Sequence, residues 1–208
     1  AKNQYIFYYL YRVKASEINT NLNTYINSFI VHNQNNNEEL VKQIVDNFQS
    51  IDLKKNEFLV HENEICPLFC YIESGILQHA IVVDGEEKTT YLALRNSVTS
   101  SLNSFLNKIS SRKSIKAISD CSLKVIDLEN FQKLMKNNEV FKQFYHNLIE
   151  KQIMLIDDYR IDLLTLTPEE RYKKLLQTEP KLLQEVPLHY LASFLGISTR
   201  NMSRIRKN

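Results

Sequence analysis

The chain has 208 residues, of which 43% are hydrophobic and 24% charged, and its formal net charge is +2. No apolar run approaches the roughly 18 residues that span a bilayer, and the N-terminus lacks a signal-peptide pattern, so we expect a cytoplasmic protein with no membrane partner. An odd number of cysteines (Cys66, Cys70 and Cys121) makes no disulfide framework, and we expect these thiols to be reduced and buried.

The N-terminal quarter is predicted to be mainly helical. Residues 5–11 are aromatic and are expected to form part of a packed helix or strand. Apolar side chains then recur at helical spacing over residues 15–50, on both sides of a polar loop at residues 32–37. Asn36 or Asn37 is the expected N-cap of a helix that begins at Glu38.

Short β-forming runs replace the helical pattern from about Ser50. They are separated by turn residues, including the hairpin signal Asp84-Gly85, and occupy residues 58–60, 68–72, 76–83, 89–94, 114–118 and 123–126. Many short strands at near-regular spacing predict a sandwich or barrel. Residues 97–113 interrupt the series with a Ser- and Asn-rich stretch whose apolar positions have helical spacing.

Helices return after the strands, with a short one starting near Asp127 and a long one from about Glu139. Along the long helix, steps of four and three residues connect Phe141, Tyr145, Leu148, Gln152, Leu155 and Tyr159. The apolar face is widened by Phe144, Ile149, Ile153, Ile156 and Leu163. This width predicts that one face packs on the strands and another on a partner helix in a homodimer.

Another helix is predicted to begin after Thr167, a good N-cap that is followed by Pro168 and two acids. We place a domain boundary there. The predicted organisation is an N-terminal sensor domain at residues 1–137, a dimerisation helix at residues 138–166 and a C-terminal domain at residues 167–208.

The C-terminal stretch from Val186 has the spacing of a helix-turn-helix. Ala192 is the small residue needed where two helices cross, Gly196 ends the first helix, and Ser198 can cap the second. Met202 and Ile205 are placed on the inner face of the second helix. Its outer face then carries Thr199, Arg200, Ser203, Arg204 and Lys207, in a segment with three Arg, one Lys and no acid.

The order of these parts resembles the Crp/Fnr family of bacterial transcription regulators over roughly residues 25–208. The matching motifs are Tyr71-Ile-Glu-Ser-Gly75, the hairpin at Asp84-Gly85, the apolar segment at residues 117–126, the long helix, and residues 191–198 with 203–206. The resemblance implies an α+β protein: an antiparallel β jelly roll with flanking helices, a long dimerisation helix, and a winged-helix-like helix-turn-helix.

The resemblance also implies function. It predicts a homodimer that binds double-stranded DNA, acts with RNA polymerase and has no catalytic activity. It places base or phosphate contacts at Ser198, Thr199, Arg200, Ser203 and Arg204.

The effector region differs from that of cyclic AMP-binding family members, which carry a Gly-Glu pair opening a short helix and a later Arg-Ser or Arg-Thr pair. Here the stretch that begins at Ser97 has no Gly-Glu, and Arg112-Lys-Ser114 only approximates the second pair. We therefore expect no cyclic AMP binding. A different anionic effector could be held by Ser100, Ser101, Ser104, Arg112 and Ser114, or the region could have no ligand.

Other readings of the sequence stay open. A cyclic nucleotide-responsive regulator is one. A ligand-binding module with a degenerate helix-turn-helix is another. A cupin-like metal enzyme would need clustered His and carboxylate ligands, and no His-x-His occurs. An iron–sulfur cluster needs about four thiolates, whereas the chain has three cysteines, and its five histidines show no paired spacing. We therefore expect no metal and no cofactor, with a haem held by one protein ligand as the alternative that stays open.

Overall fold

The computed structural model describes residues 21–30 and 37–207, with the side chains of Lys181 and Lys207 left out. The predictions for the aromatic segment at residues 5–11, for the loop at residues 32–36 and for Asn36 as a cap lie outside the described residues. No helix of the described residues is long and apolar enough to cross a membrane.

Among the described residues, two helices precede the strands: α1 spans Leu22–Asn27 and α2 spans Asn37–Asp46. The side chain of Asn21 caps α1 by accepting a hydrogen bond from the Thr24 N–H at 3.0 Å. Both helices bury one apolar side, with Ile26 on α1 and Ile44 on α2 fully enclosed. The helical prediction holds here, although it ends sooner than expected because a strand already begins at Gln49.

Eight strands follow, and they form two four-stranded antiparallel sheets. Their bounds are β1 Gln49–Leu53, β2 Phe58–Val60, β3 Leu68–Ser74, β4 Ile76–Val83, β5 Glu86–Leu94, β6 Val98–Thr99, β7 Ser114–Ala117 and β8 Cys121–Asp127. The first sheet has the order β1-β8-β3-β6 and the second β2-β7-β4-β5. The expected α+β class with an antiparallel jelly roll is confirmed, and we call these two sheets the β-roll.

The sequence analysis did not predict two of the strands. β1 alternates polar and apolar residues, and it lies at a sheet edge where only Ile51 and Leu53 are partly covered. β6 has two residues, which is too short for any periodicity to be visible. β5 is also longer than predicted, because its charged first residues extend the Asp84-Gly85 hairpin.

Three helices are attached to the β-roll: α3 spans Leu102–Asn107, α4 spans Leu128–Asn137 and α5 spans Glu139–Thr165. Asp127 caps α4, and Asn138 caps α5 by accepting a hydrogen bond from the Phe141 N–H at 2.9 Å. The amide of Asn138 also donates to the Leu40 carbonyl at 3.0 Å, so this buried side chain ties α2 to the start of α5.

The C-terminal region consists of four helices, and its described residues contain no strand. α6 spans Pro168–Thr178, α7 Pro180–Glu185, α8 Leu188–Leu195 and α9 Thr199–Lys207. Thr167 and Glu170 form a capping box at the start of α6, as the sequence predicted for Thr167. The guanidinium of Arg171 donates to the Leu195 carbonyl at 2.9 Å and so joins α6 to the end of α8.

These C-terminal helices pack against the outside of the β-roll. Their small core contains Leu191, Leu195 and Met202, and it continues into Ile76 and Leu92 of the roll. Polar contacts reinforce the packing, because the Ser193 hydroxyl accepts a hydrogen bond from the Thr89 N–H of β5 at 2.9 Å. Arg95 and Glu185 add an ion pair at 3.6 Å.

Candidate nucleic-acid interface and effector region

The turn between α8 and α9 has the geometry that the sequence predicted. Gly196 has a φ of +71°, a left-handed conformation that a side chain disfavours. The Ile197 N–H donates to the Ala192 carbonyl at 3.0 Å, which closes the turn over the small residue. The Ser198 hydroxyl then accepts a hydrogen bond from the Asn201 N–H at 3.2 Å and caps α9.

Helix α9 has one buried side and one exposed basic side. Met202 and Ile205 are buried in the C-terminal core, as predicted. Ser198, Thr199, Arg200 and Arg204 are exposed and Ser203 is partly covered, while Lys207 is the last residue of the helix. Of the candidate contact residues, Arg200, Ser203 and Arg204 line one open concavity.

Two further residues join this surface. Asn201 and Arg206 are also exposed, and Asn201 lines an open concavity together with Arg200, Ser203 and Arg204. Asn is a residue that can bind adenine by two hydrogen bonds in a major groove. The sequence analysis omitted Asn201, although its position next to Arg200 at the start of the helix could have identified it.

The long helix α5 divides its predicted apolar positions between two environments. Phe141 and Leu148 are buried in the core of the same chain, and the Tyr145 ring lies 5.2 Å from that of Phe131. The expectation that Phe141 and Leu148 serve a partner helix is therefore corrected, because they are enclosed by their own chain. Tyr145 is partly covered.

Further along α5, Tyr159 also has an internal partner, since its ring stacks on Phe194 of α8 at 5.6 Å. Gln152 and Leu155 are partly covered. The apolar side chains of α5 that are exposed lie at other positions: Ile153, Met154, Ile156, Ile161, Leu163 and Leu164.

The serines of the predicted effector region are engaged in structural hydrogen bonds. Ser104 accepts from the Cys66 N–H at 2.8 Å and donates to the Ile109 carbonyl at 2.6 Å. Ser100 donates to the Leu68 carbonyl at 2.9 Å. Ser101 accepts from the Ser111 hydroxyl at 2.8 Å, and Ser114 accepts from the Glu62 N–H at 2.9 Å. Arg112 is exposed.

A buried polar group inside the β-roll was not foreseen. Nε2 of His79 lies 2.6 Å from the Thr99 hydroxyl, and its Nδ1 has no hydrogen-bond partner among the described residues. Burial, and secondarily the positive charge of Lys113, holds the pKa of His79 well below its usual value. Burial also lowers the pKa of Lys113, against an opposing electrostatic contribution from Cys66. A neutral His79 follows from this environment.

Cys66, Cys70 and Cys121 are free and buried, which confirms the prediction. The described residues contain no group of three or more His, Cys, Asp or Glu side chains placed to hold a metal ion.

Comparison with known proteins supports this description. Residues 50–138 match the family model of the cyclic nucleotide-binding domain. CLP from Xanthomonas campestris, a c-di-GMP responsive global regulator, shares 16% identity at a TM-score of 0.63, over 82% of this chain and 90% of CLP. A transcriptional regulator from Eubacterium rectale that is assigned to the Crp/Fnr family shares 20% identity at a TM-score of 0.62, over 81% of each chain.

The chain has the Crp/Fnr fold. The resemblance inferred from the sequence is thereby confirmed. The Thermus thermophilus catabolite activator protein has the same fold, with 20% identity and a TM-score of 0.52 over 81% of each chain. A search of curated protein sequences gave no match.

Proposed function

We propose that this protein is a homodimeric transcription regulator of the Crp/Fnr type that binds double-stranded DNA through α9. The observation that carries the proposal is the exposed basic side of α9, which follows a tight glycine turn and contains no acidic residue. Such a helix fits the major groove, where an Arg can bind guanine O6 and N7 by two hydrogen bonds. RNA polymerase is the partner that transcription regulation requires.

Dimerisation is supported by the exposed side of α5. Ile153, Ile156, Leu163 and Leu164 lie within about one third of the helix circumference, since each residue turns an α-helix by about 100°. A run of exposed apolar residues over three turns is typical of a helix that pairs with another. We propose that a second copy of the chain covers this side, which then brings two α9 helices to one DNA duplex.

The dimer can be tested by sedimentation equilibrium of two matched variants. Ile153→Glu places a charge on the proposed interface and is expected to give a monomer. Met154→Glu makes the same kind of change at an equally exposed neighbour that lies about 100° away, and it should remain dimeric. A dimeric Ile153→Glu variant would contradict the proposed interface.

The effector part of the proposal is that cyclic AMP is not the signal. The short helix α3 begins without the Gly-Glu pair, and the nearby serines already bind backbone or neighbouring side-chain groups. A match to the cyclic nucleotide-binding domain favours the opposite candidate, a nucleotide-responsive regulator. CLP shares the fold and responds to c-di-GMP, so the effector does not follow from the fold.

The experiment that decides between these candidates is selection of binding sites from random duplex DNA. It is performed without ligand, with cyclic AMP and with c-di-GMP. We expect a two-fold symmetric motif, with half-sites roughly 34–36 Å apart, in all three conditions. Enrichment that depends on either nucleotide would establish the nucleotide-responsive alternative.

Two arginine variants control this selection. Arg204→Ala should enrich the motif more weakly and lose the preference for one base pair in each half-site. Arg112→Ala removes an exposed arginine from the β-roll and should retain the motif when no ligand is present. A folded, dimeric wild-type protein that enriches no motif at low salt would refute DNA recognition through α9.

A further inference from the structure

We infer that Glu169 is a positioning residue for Arg204 and thereby a determinant of base specificity. This inference rests on the proposed DNA-binding function. Oε1 of Glu169, in the first turn of α6, lies 3.5 Å from Nη2 of Arg204 on α9. The two residues are more than thirty positions apart in the sequence and lie on different helices, so the contact results from the fold and not from helix periodicity.

Glu169 is the carboxylate of this region that remains available for such a role. Helix α9 contains no acid, so Arg204 has no partner on its own helix. The neighbouring Glu170 is already engaged, because its carboxylate accepts hydrogen bonds from the N–H and the hydroxyl of Thr167, both at 2.8 Å. Glu185, further along the domain, pairs with Arg95.

The geometry leaves Arg204 able to bind a base while it is held. One guanidinium nitrogen faces Glu169, and the side chain of Arg204 is 68% exposed, so it is accessible to a DNA duplex. A guanidinium is a rigid planar fork with five donors, and two of them suffice for guanine. Glu169 therefore restricts the rotamers of Arg204 before DNA binds without occupying the donors that a base requires.

Positioning and simple charge have different consequences, which makes the inference testable. Glu169 places a negative charge beside the DNA-facing helix, so removing that charge should strengthen attraction to the phosphates of the operator and of any other duplex alike, which leaves the ratio of specific to non-specific affinity unchanged. Losing the restriction on Arg204 should weaken specific binding instead, because ordering a long side chain then has to occur during association. Glu169→Gln is expected to lower the ratio of specific to non-specific affinity by about two- to tenfold.

The test measures the dissociation constants of wild type and Glu169→Gln for the selected operator and for a scrambled duplex, at the same salt concentration. Each operator base pair is also substituted in turn. Discrimination should weaken at the base pair where Arg204→Ala weakens it, and Glu169→Gln should lower the ratio no further in the Arg204→Ala background. Glu129→Gln is the matched control, because it removes the same charge from a solvent-exposed ion pair, with Lys133 within α4, and should leave the ratio unchanged.

The possible outcomes separate this inference from the proposed function. If wild type prefers the operator and Glu169→Gln keeps or increases that preference, the positioning role is wrong while the proposed function stands. A reduced preference that is spread evenly over all base pairs would also overturn it, since a destabilised domain would give that result. If wild type shows no preference for any duplex, the proposed function fails and this inference fails with it.

Discussion

The two folded regions of the chain bury their apolar side chains in different ways. The β-roll and the helices attached to it enclose one continuous core that contains large aromatic residues, among them Tyr71, Phe105, Phe141 and Phe144, all fully buried. The C-terminal helices have a small core of aliphatic residues and Tyr172, and it is completed by Ile76, Leu92 and Ile118 of the β-roll. The core of the C-terminal helices is therefore formed partly by side chains of the first region.

This difference predicts that the C-terminal helices depend on their contact with the β-roll for part of their stability. A domain with a small core of its own gains stability when it docks, and it loses that part of its stability when it undocks. The packing of α8 on the β-roll therefore contributes to the stability of the C-terminal helices as well as to their placement.

The largest effect on stability is expected from a substitution in the large core that the β-roll shares with α5. Phe141 is fully buried, and its ring lies 5.2 Å from that of Phe131. Phe141→Ala should lower the free energy of unfolding by about 3–5 kcal/mol, measured by urea titration at neutral pH. Leu176→Ala, at a position that is 47% exposed, should change it by about 0.5 kcal/mol or less. Similar values for the two variants would show that Phe141 is not a core residue.

A second test places alanine at a glycine with positive φ in each region, so that both regions lose the same kind of backbone freedom. Gly196 has a φ of +71° and Gly85 a φ of +77°, and a Cβ at either would meet no atom within 4 Å. Alanine at each position therefore costs about 1–2 kcal/mol through backbone conformation alone. Hydrogen exchange, measured as the temperature is raised, should be faster in the C-terminal helices of Gly196→Ala than in those of wild type. Gly85→Ala should leave the centre of the β-roll protected, and equal loosening would mean that the two cores do not differ.

A third test uses pH to probe the interior of the β-roll. His79 is 3% exposed and its pKa is lowered, so the folded protein keeps it neutral where the unfolded chain takes up a proton. Its contribution to stability is complete above about pH 6.5 and is lost as the pH falls below that value, by about 1.4 kcal/mol per pH unit. Urea titrations at several pH values should show a shallower loss for His79→Gln than for wild type. Parallel curves would exclude a buried neutral histidine.

The smallest expected effect concerns the contact between the regions. Ser193→Ala removes the acceptor of the Thr89 N–H and should cost about 1 kcal/mol. The amide of Thr89 is expected to exchange faster with deuterium in this variant. Ser203→Ala serves as the control, because its hydroxyl binds the Thr199 carbonyl within α9. Unchanged exchange at Thr89 would show that the docked arrangement does not depend on this hydrogen bond.

Local signals in the sequence predicted most of the fold. Gly196, Ser198 and Thr167 act through their nearest neighbours in the chain, so their roles could be inferred from spacing and were confirmed. The hairpin at Asp84-Gly85 was found for the same reason, with both residues at positive φ. Strands without periodicity, such as β6, have no comparable signal.

The remaining features depend on contacts between distant segments. The wide apolar surface of α5 was visible in the sequence, but its spacing could not show that Phe141 and Leu148 face the core while Ile153 and Ile156 face solvent. Likewise, the serines before β7 looked like free ligands for an anion. Their partners include Cys66 and Leu68, which lie more than thirty residues earlier in the chain, so only the folded structure shows that they are occupied.

The docking of Ser193 on β5 has a consequence for the sheet itself. β5 is the edge strand of its sheet, and the hydroxyl of Ser193 covers the Thr89 N–H that would otherwise point outward. An uncovered edge strand offers its backbone groups to strands of other molecules and promotes aggregation. The C-terminal helices thus also cover part of the sheet edge. A fragment that ends before them would expose the backbone groups of β5 and is expected to aggregate more readily.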